Sequence, residues 1–198
     1  MKFYFLFGLM IVTSAAMAQD TTIEIPAAEI QIKTALLAAP ADQRSEAMVY
    51  GYNSEGELQV LQEGTNNLVC IADDPNREGI NVSCYNKKLE PFMARGRELT
   101  AEGKSEMEKR AIRQQEAESG ILQLTDTPSM VYILSGTKEN YDKTTGTLID
   151  GKFRYVIYMP YATTESTGLP AKPEVPGMPW LMDPGTHRAH IMITPENK

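Results

Sequence analysis

The 198-residue chain carries 26 acidic and 19 basic side chains, for a formal charge of −7, with two cysteines, two histidines and one tryptophan. An acidic chain lacks the cationic footprint that holds phosphate backbones, which argues against nucleic acid and anionic membrane surfaces as partners. Its length suits one domain with its own core.

The chain opens MKFYFLFGLMIVTSAAMAQD. Lys2 precedes an apolar run from Phe3 to Val12, and Ala16-Met17-Ala18 fits the small-x-small cleavage rule. This predicts a signal peptide over residues 1–18. The run is too short to span a bilayer and no later segment approaches a span. The mature chain, residues 19–198, is therefore expected to be one exported α+β domain, periplasmic or secreted, without a membrane span.

Pro26 suits a first helical turn, and Ala27 to Ala39 follows as a helix with Ile30, Thr34 and Leu37 on one face. Ala47 to Tyr52 and Glu57 to Gln62 flank the turn signal NSEG and read as a hairpin. After the turn EGTNN, Leu68 to Ala72 and Ile80 to Cys84 read as a second strand pair. Cys70 and Cys84 fall on the apolar face of these strands, and in an exported chain they are expected to pair. Closing a loop of this length contributes about 3 kcal/mol in the chain-entropy model. Pro91 to Gly103 reads as a helix. Ser105 and Glu108 form a capping box for a second, from about Glu106 to Glu118, with Met107, Ala111 and Ile112 as its apolar stripe. Its lysines and arginines alternate with glutamates, which reads as a solvated face. Met130 to Ser135 and Phe153 to Met159 read as strands, and Asp150-Gly151 as a turn between them. Pro160 to Pro179, with five prolines, cannot be a central strand or a regular helix. His187 to Thr194 reads as a last strand. The predicted fold is α+β: an antiparallel sheet, two or three helices mainly on one face, and one disulfide.

Three motifs fall short of their chemistry. GTLIDGKF matches G-x-x-x-x-G-K, but Phe153 stands where a metal-binding hydroxyl belongs, and a strand follows. DDPNREGINVSC places Asp74, Asn76, Glu78 and Gly79 as in a calcium loop, but Tyr85 occupies the bidentate position. His187 and His190 would share a face only in a helix, and AHIMIT has strand character, which points them apart. No metal site is therefore expected, and no sequence signature calls for a cofactor.

The segment WLMDPGTHRAHIM holds the candidate site. His190 has a general base's ordinary pKa, and Asp183 and Glu165 are candidate carboxylates to orient it. Trp180, beside the Pro-rich stretch, can line a pocket; Thr186 and Arg188 complete the ligand-contact set.

Two blocks carry a resemblance. Gly64, Thr65, Asn66 and Cys70, with Cys84 following, form the first; Gly185, Thr186, Ala189, His190, Ile191 and Met192 form the second. Together they resemble a group of exported bacterial proteins of uncharacterised activity. The resemblance implies no mechanism. It implies that His190, rather than His187, is the histidine to test. The leading expectation is a non-enzymatic exported protein that binds a small molecule or an envelope protein. The alternative is a hydrolase-type acid-base enzyme using His190, which requires that side chain at a pocket mouth beside a carboxylate or hydroxyl.

Overall fold

The computed structural model describes residues 24–196, so the expected leader lies outside them. The chain forms α1 (Ala28–Leu36), then β1 (Met48–Tyr52) and β2 (Leu58–Gln62) as a hairpin, and β3 (Leu68–Ile71) and β4 (Ile80–Asn86) as another. Helices α2 (Glu90–Ala101) and α3 (Glu106–Glu118) follow. Then come β5 (Ser129–Gly136), the short ladder β6 (Tyr141–Asp142) with β7 (Thr147–Leu148), and β8 (Lys152–Tyr158). A one-turn helix α4 (Thr164–Thr167), β9 (Trp180–Met182) and β10 (His190–Ile193) complete the chain.

Eight strands form one sheet in the order β2-β1-β3-β4-β5-β8-β10-β9. Every neighbouring pair is antiparallel except β1 and β3, which run parallel. The expected α+β class, antiparallel sheet and disulfide are all present. Cys70 and Cys84 lie directly opposite each other on β3 and β4, bonded and fully buried.

Strand alternation splits the core in two. Val49, Leu68, Cys70, Val82 and Cys84 pack under α1 on one face. Val69, Tyr85, Val131 and Val156 pack under Leu89 and Met93, at and after the start of α2, on the other. The α2–α3 pair thus shares one face, while α1 covers the opposite one.

Three local expectations are corrected. The buried side of α1 is Gln31, Thr34 and Ala35, continued by Ala38; of the expected face Thr34 is buried and Leu37 packs partly buried against the core, while Ile30 lies to the side. Small alanines let the helix sit close to the sheet. Gln31 is satisfied there: its amide nitrogen donates to the carbonyls of Pro26 and Tyr52, and its oxygen accepts from the Tyr52 amide. The capping box of α3 forms as expected, but Met107 is 81 % exposed, and the buried residue is Lys109. The helix docks on α2 through Arg95 to Glu116 and through Lys109 Nζ to Thr100, so aliphatic stems replace an apolar stripe. The last strand is shorter than expected. It begins at His190, leaving His187 in the turn before it.

The Pro-rich stretch is not a strand or a long helix. It forms α4, capped by Thr163 and Ser166, and then a strap alongside the end of the sheet. Beneath it, Leu181 and Ala189 are fully buried against Ala162, Met159 and Leu169.

Candidate functional site

The Asp183 to Ala189 turn joins the edge strand β9 to β10. Asp183 takes a left-handed conformation at φ 53°, which an aspartate tolerates better than most residues. The turn is closed on itself. Thr186 Oγ1 donates to the Asp183 carbonyl at 2.8 Å and accepts from the Arg188 amide. Arg188 Nε meets Asp183 Oδ2 at 2.9 Å. Thr186 and Arg188, expected as ligand contacts, are thus engaged within the turn. The turn is also tied to the strap: Gly185 N donates to Ala162 O, and Tyr161 N to Thr186 O.

His190 is 4 % exposed. Its Nδ1 lies 2.7 Å from the Arg188 carbonyl, and its ring stacks on Tyr158 with centroids 5.1 Å apart. Burial pushes its pKa down; the adjacent Arg188 charge adds to this, while the carbonyl bond and Asp183 oppose it. The imidazole is neutral at pH 7, with Nδ1–H donating to the carbonyl. No carboxylate or hydroxyl hydrogen-bonds it among the described residues. Asp183 pairs with Arg188 instead, so the geometry does not join His190 and Asp183 into a dyad.

His187, expected to be the lesser histidine, is the more constrained one. It is 2 % exposed, and its Nδ1 reaches Gln114 Oε1 on α3 at 2.5 Å. Its ring tilts against Phe92, which also contacts Tyr158. Its Nε2 is buried without a hydrogen-bond partner among the described residues. Burial, then Arg113 and Arg188, pull its pKa down to about 4, against weaker opposition from Asp183 and Glu118. Protonation therefore undermines the docking of this turn on α3. The unfolded chain takes the proton near ~6.5, whereas the folded chain resists it until about pH 4. Between those values the unfolded state binds more protons, so this histidine's contribution to stability is lost as pH falls. Asp73 acts in the opposite sense, because burial raises its carboxyl to about 6. The readout is therefore the difference between wild type and His187→Gln. Urea midpoints at pH 7 and pH 5 should fall less in the variant. An equal fall in both proteins would refute the assignment.

Three of the hollows on the surface of the described residues bear on function. The first, about 430 Å³, lies between the strap and the chain after β10 and is lined by Trp180 with Pro173, Val175, Pro176, Met178 and Pro195. The second, about 640 Å³, lies by α1 and includes Thr34, Asp73, Lys138 and Tyr141. The third, about 1090 Å³, is a groove between α2 and the sheet. None of them is lined by His187 or His190. Asp73 lines both the second and the third, and its carboxylate accepts from the Asn81 amide at 2.7 Å. Asp74, the first position of the calcium-like loop, is engaged by Arg77 and by the Asn76 amide. No group of three or more His, Cys, Asp or Glu side chains converges among the described residues.

Sequence reasoning brought Trp180 to a cleft and missed Asp73, Arg113, Gln114 and Tyr158. For Arg113 and Gln114 a signal existed. A helix with so thin an apolar stripe must pack through its long polar side chains. Comparison with protein-family models, curated proteins and solved structures gives no match for this chain.

Proposed function

We propose that this is an exported, non-enzymatic binding protein whose ligand site is the Trp180 cleft. The observation that carries the reading is a partly buried tryptophan on an edge strand, facing a proline-walled hollow. Export is supported by the leader-like opening, the buried disulfide and the resemblance of the two sequence blocks. The acid-base alternative has less support, because His190 is sealed against Tyr158 and bonded to a backbone carbonyl.

Glu174 and Glu196 line the cleft beside its apolar walls. This combination favours an apolar group carrying a positive charge, attracted by the carboxylates and by the indole face. The group would belong to a small molecule, or to a side chain of an envelope protein presented to the same cleft.

Because Trp180 is the only tryptophan, its fluorescence reports on this site alone. Titration with benzyltrimethylammonium should give a saturable change, and benzenesulfonate should give none. Glu174→Gln with Glu196→Gln should weaken the cation by about fivefold or more. Equal responses to cation and anion, or no saturable response to the cation, would sink the proposal.

A further inference from the structure

The groove between α2 and the sheet lies on β1, β3 and β4, at the other end of the sheet from Trp180. Its floor includes Tyr50, Tyr52 and Ile71, and Met93 lines it from α2. Four cations also line it, and three are neutralised locally. Arg77 meets Asp74 at 3.2 Å, Arg97 meets Glu90 at 2.5 Å, and Lys109 meets Glu106 at 2.6 Å.

Arg113 is the exception. It has no carboxylate within 4 Å among the described residues, and its donors reach only the backbone carbonyls of Lys109 and Phe92, both at 3.4 Å. Its guanidinium lies over the Phe92 ring, 4.2 Å from the centroid. Burial lowers its pKa, as expected for a cation short of an anion. The neighbouring helix makes room for it. A Cβ at Gly96, in the middle of α2, would stand 3.1 Å from Arg113 Nη1. Glycine weakens a helix interior, so its presence here goes with the placement of this guanidinium.

We infer that this groove binds a small organic monocarboxylate, anchored by the Arg113 guanidinium. A partly buried guanidinium without an anion is costly, and its planar fork matches a carboxylate in two parallel hydrogen bonds. Tyr50, Tyr52 and Met93 supply an apolar and aromatic bed for the ligand's body. Glu57, Asp73 and Asp74 line the end formed by the β1–β2 and β3–β4 loops. Asp74 is paired with Arg77, so Glu57 and Asp73 are the charges that disfavour a second negative charge on the ligand. This site is independent of the Trp180 reading.

The test is calorimetric titration of the purified protein with acetate, benzoate, succinate, benzamide and inorganic phosphate. Benzoate should bind saturably, and neutral benzamide at least about tenfold more weakly, since it lacks the charge-assisted pair. Succinate should bind more weakly than benzoate. Arg113→Gln should abolish the difference between benzoate and benzamide, and Arg113→Lys should retain part of it. Gly96→Ala keeps every charge but crowds the guanidinium; it should weaken benzoate without lowering the melting temperature. That variant keeps the inference testable if Arg113→Gln fails to fold. Trp180 fluorescence should not respond to benzoate, which separates this site from the proposed cleft. The inference is overturned if neither acetate nor benzoate saturates by about 10 mM, if benzamide or Arg113→Gln matches the wild-type benzoate affinity, or if only phosphate binds.

Discussion

Gly64→Ala should destabilise the protein by about 3 kcal/mol or more, an overpacking cost at the upper end for one added methyl group. The cause is topological. β1 and β3 are parallel neighbours, with β2 on the far side of β1, so the β2–β3 connection must cross the start of β1. Gly64 sits at that crossing. A Cβ there would stand 2.1 Å from Met48 N and 2.7 Å from both Ala47 C and Met48 Cα. These are backbone atoms, so no rotamer change relieves the overlap. The crossing is also pinned by hydrogen bonds. The amides of Thr65 and Asn66 donate to Glu46 O, Asn66 Nδ2 donates to Gln43 O, and Asn66 Oδ1 accepts from Leu68 N. Shifting Gly64 disturbs all of them and the register of β3. In a protein of this size the loss corresponds to a fall in melting temperature of roughly 10 °C. Gly56→Ala is the comparison: its φ is +80°, but nothing lies within 4 Å. It should cost about 1 kcal/mol, from backbone strain alone. Urea melts that put Gly64→Ala within 0.5 kcal/mol of wild type, or no worse than Gly56→Ala, would contradict the account.

The same crossing marks the limit of what the sequence reveals. Hairpins β1–β2 and β3–β4 are legible because each depends on alternation and turn residues within a dozen positions. Helix α3 is legible to the residue because its start is a capping box and its stop a glycine. The parallel contact of β1 with β3 has no local signature. It depends on which strand ends come together, and the glycine that permits it looks like any turn glycine. The buried face of α1 is hidden for a different reason. Hydrophobicity favours Ile30 and Leu37, and Leu37 does reach the core, but packing distance gives the fully buried places to alanines and a glutamine satisfied by the Tyr52 backbone. Strand β9 is too short to stand out beside five prolines.

Of the candidate site residues, Trp180 alone lies where the sequence places it, beside a hollow. Trp180 does line a hollow, but Thr186, Arg188 and Asp183 close the turn upon themselves. His187 and His190 exchange emphasis: the resemblance singles out His190, and strand periodicity puts both in one strand, whereas β10 begins at His190 and His187 lies in the turn. Once His187 leaves the strand, its side chain points to α3, which sequence spacing cannot anticipate. Arg113 was hidden by charge patterning: a helix of alternating signs reads as solvated, yet this one lies across α2 with one guanidinium turned inward.

Replacing both cysteines, Cys70→Ala with Cys84→Ala, should lower stability by about 3 kcal/mol, nearly all of it through the unfolded state. The two residues are 14 apart in sequence and directly opposed across β3 and β4. Alanine leaves no unsatisfied polar group in a fully buried site, as serine would. Two signatures separate loss of the cross-link from simple loss of packing. Freed of the loop, the unfolded chain exposes more surface, so the urea m-value should rise in the variant. A cavity alone would leave it unchanged. Reducing wild type after unfolding in urea should give the same midpoint as the double variant, apart from the two lost sulfur atoms. A loss below about 1 kcal/mol would mean that the unfolded chain already holds these strands together. Binding supplies a further check. The loop that the disulfide closes carries Asp73, Asp74 and Arg77 to one end of the groove, and the β3–β4 ladder holds both strands in the folded state without the cross-link. The variant should therefore keep the wild-type preference for benzoate over succinate. Loss of that preference would mean that the disulfide also orders the native loop, against an effect confined to the unfolded chain.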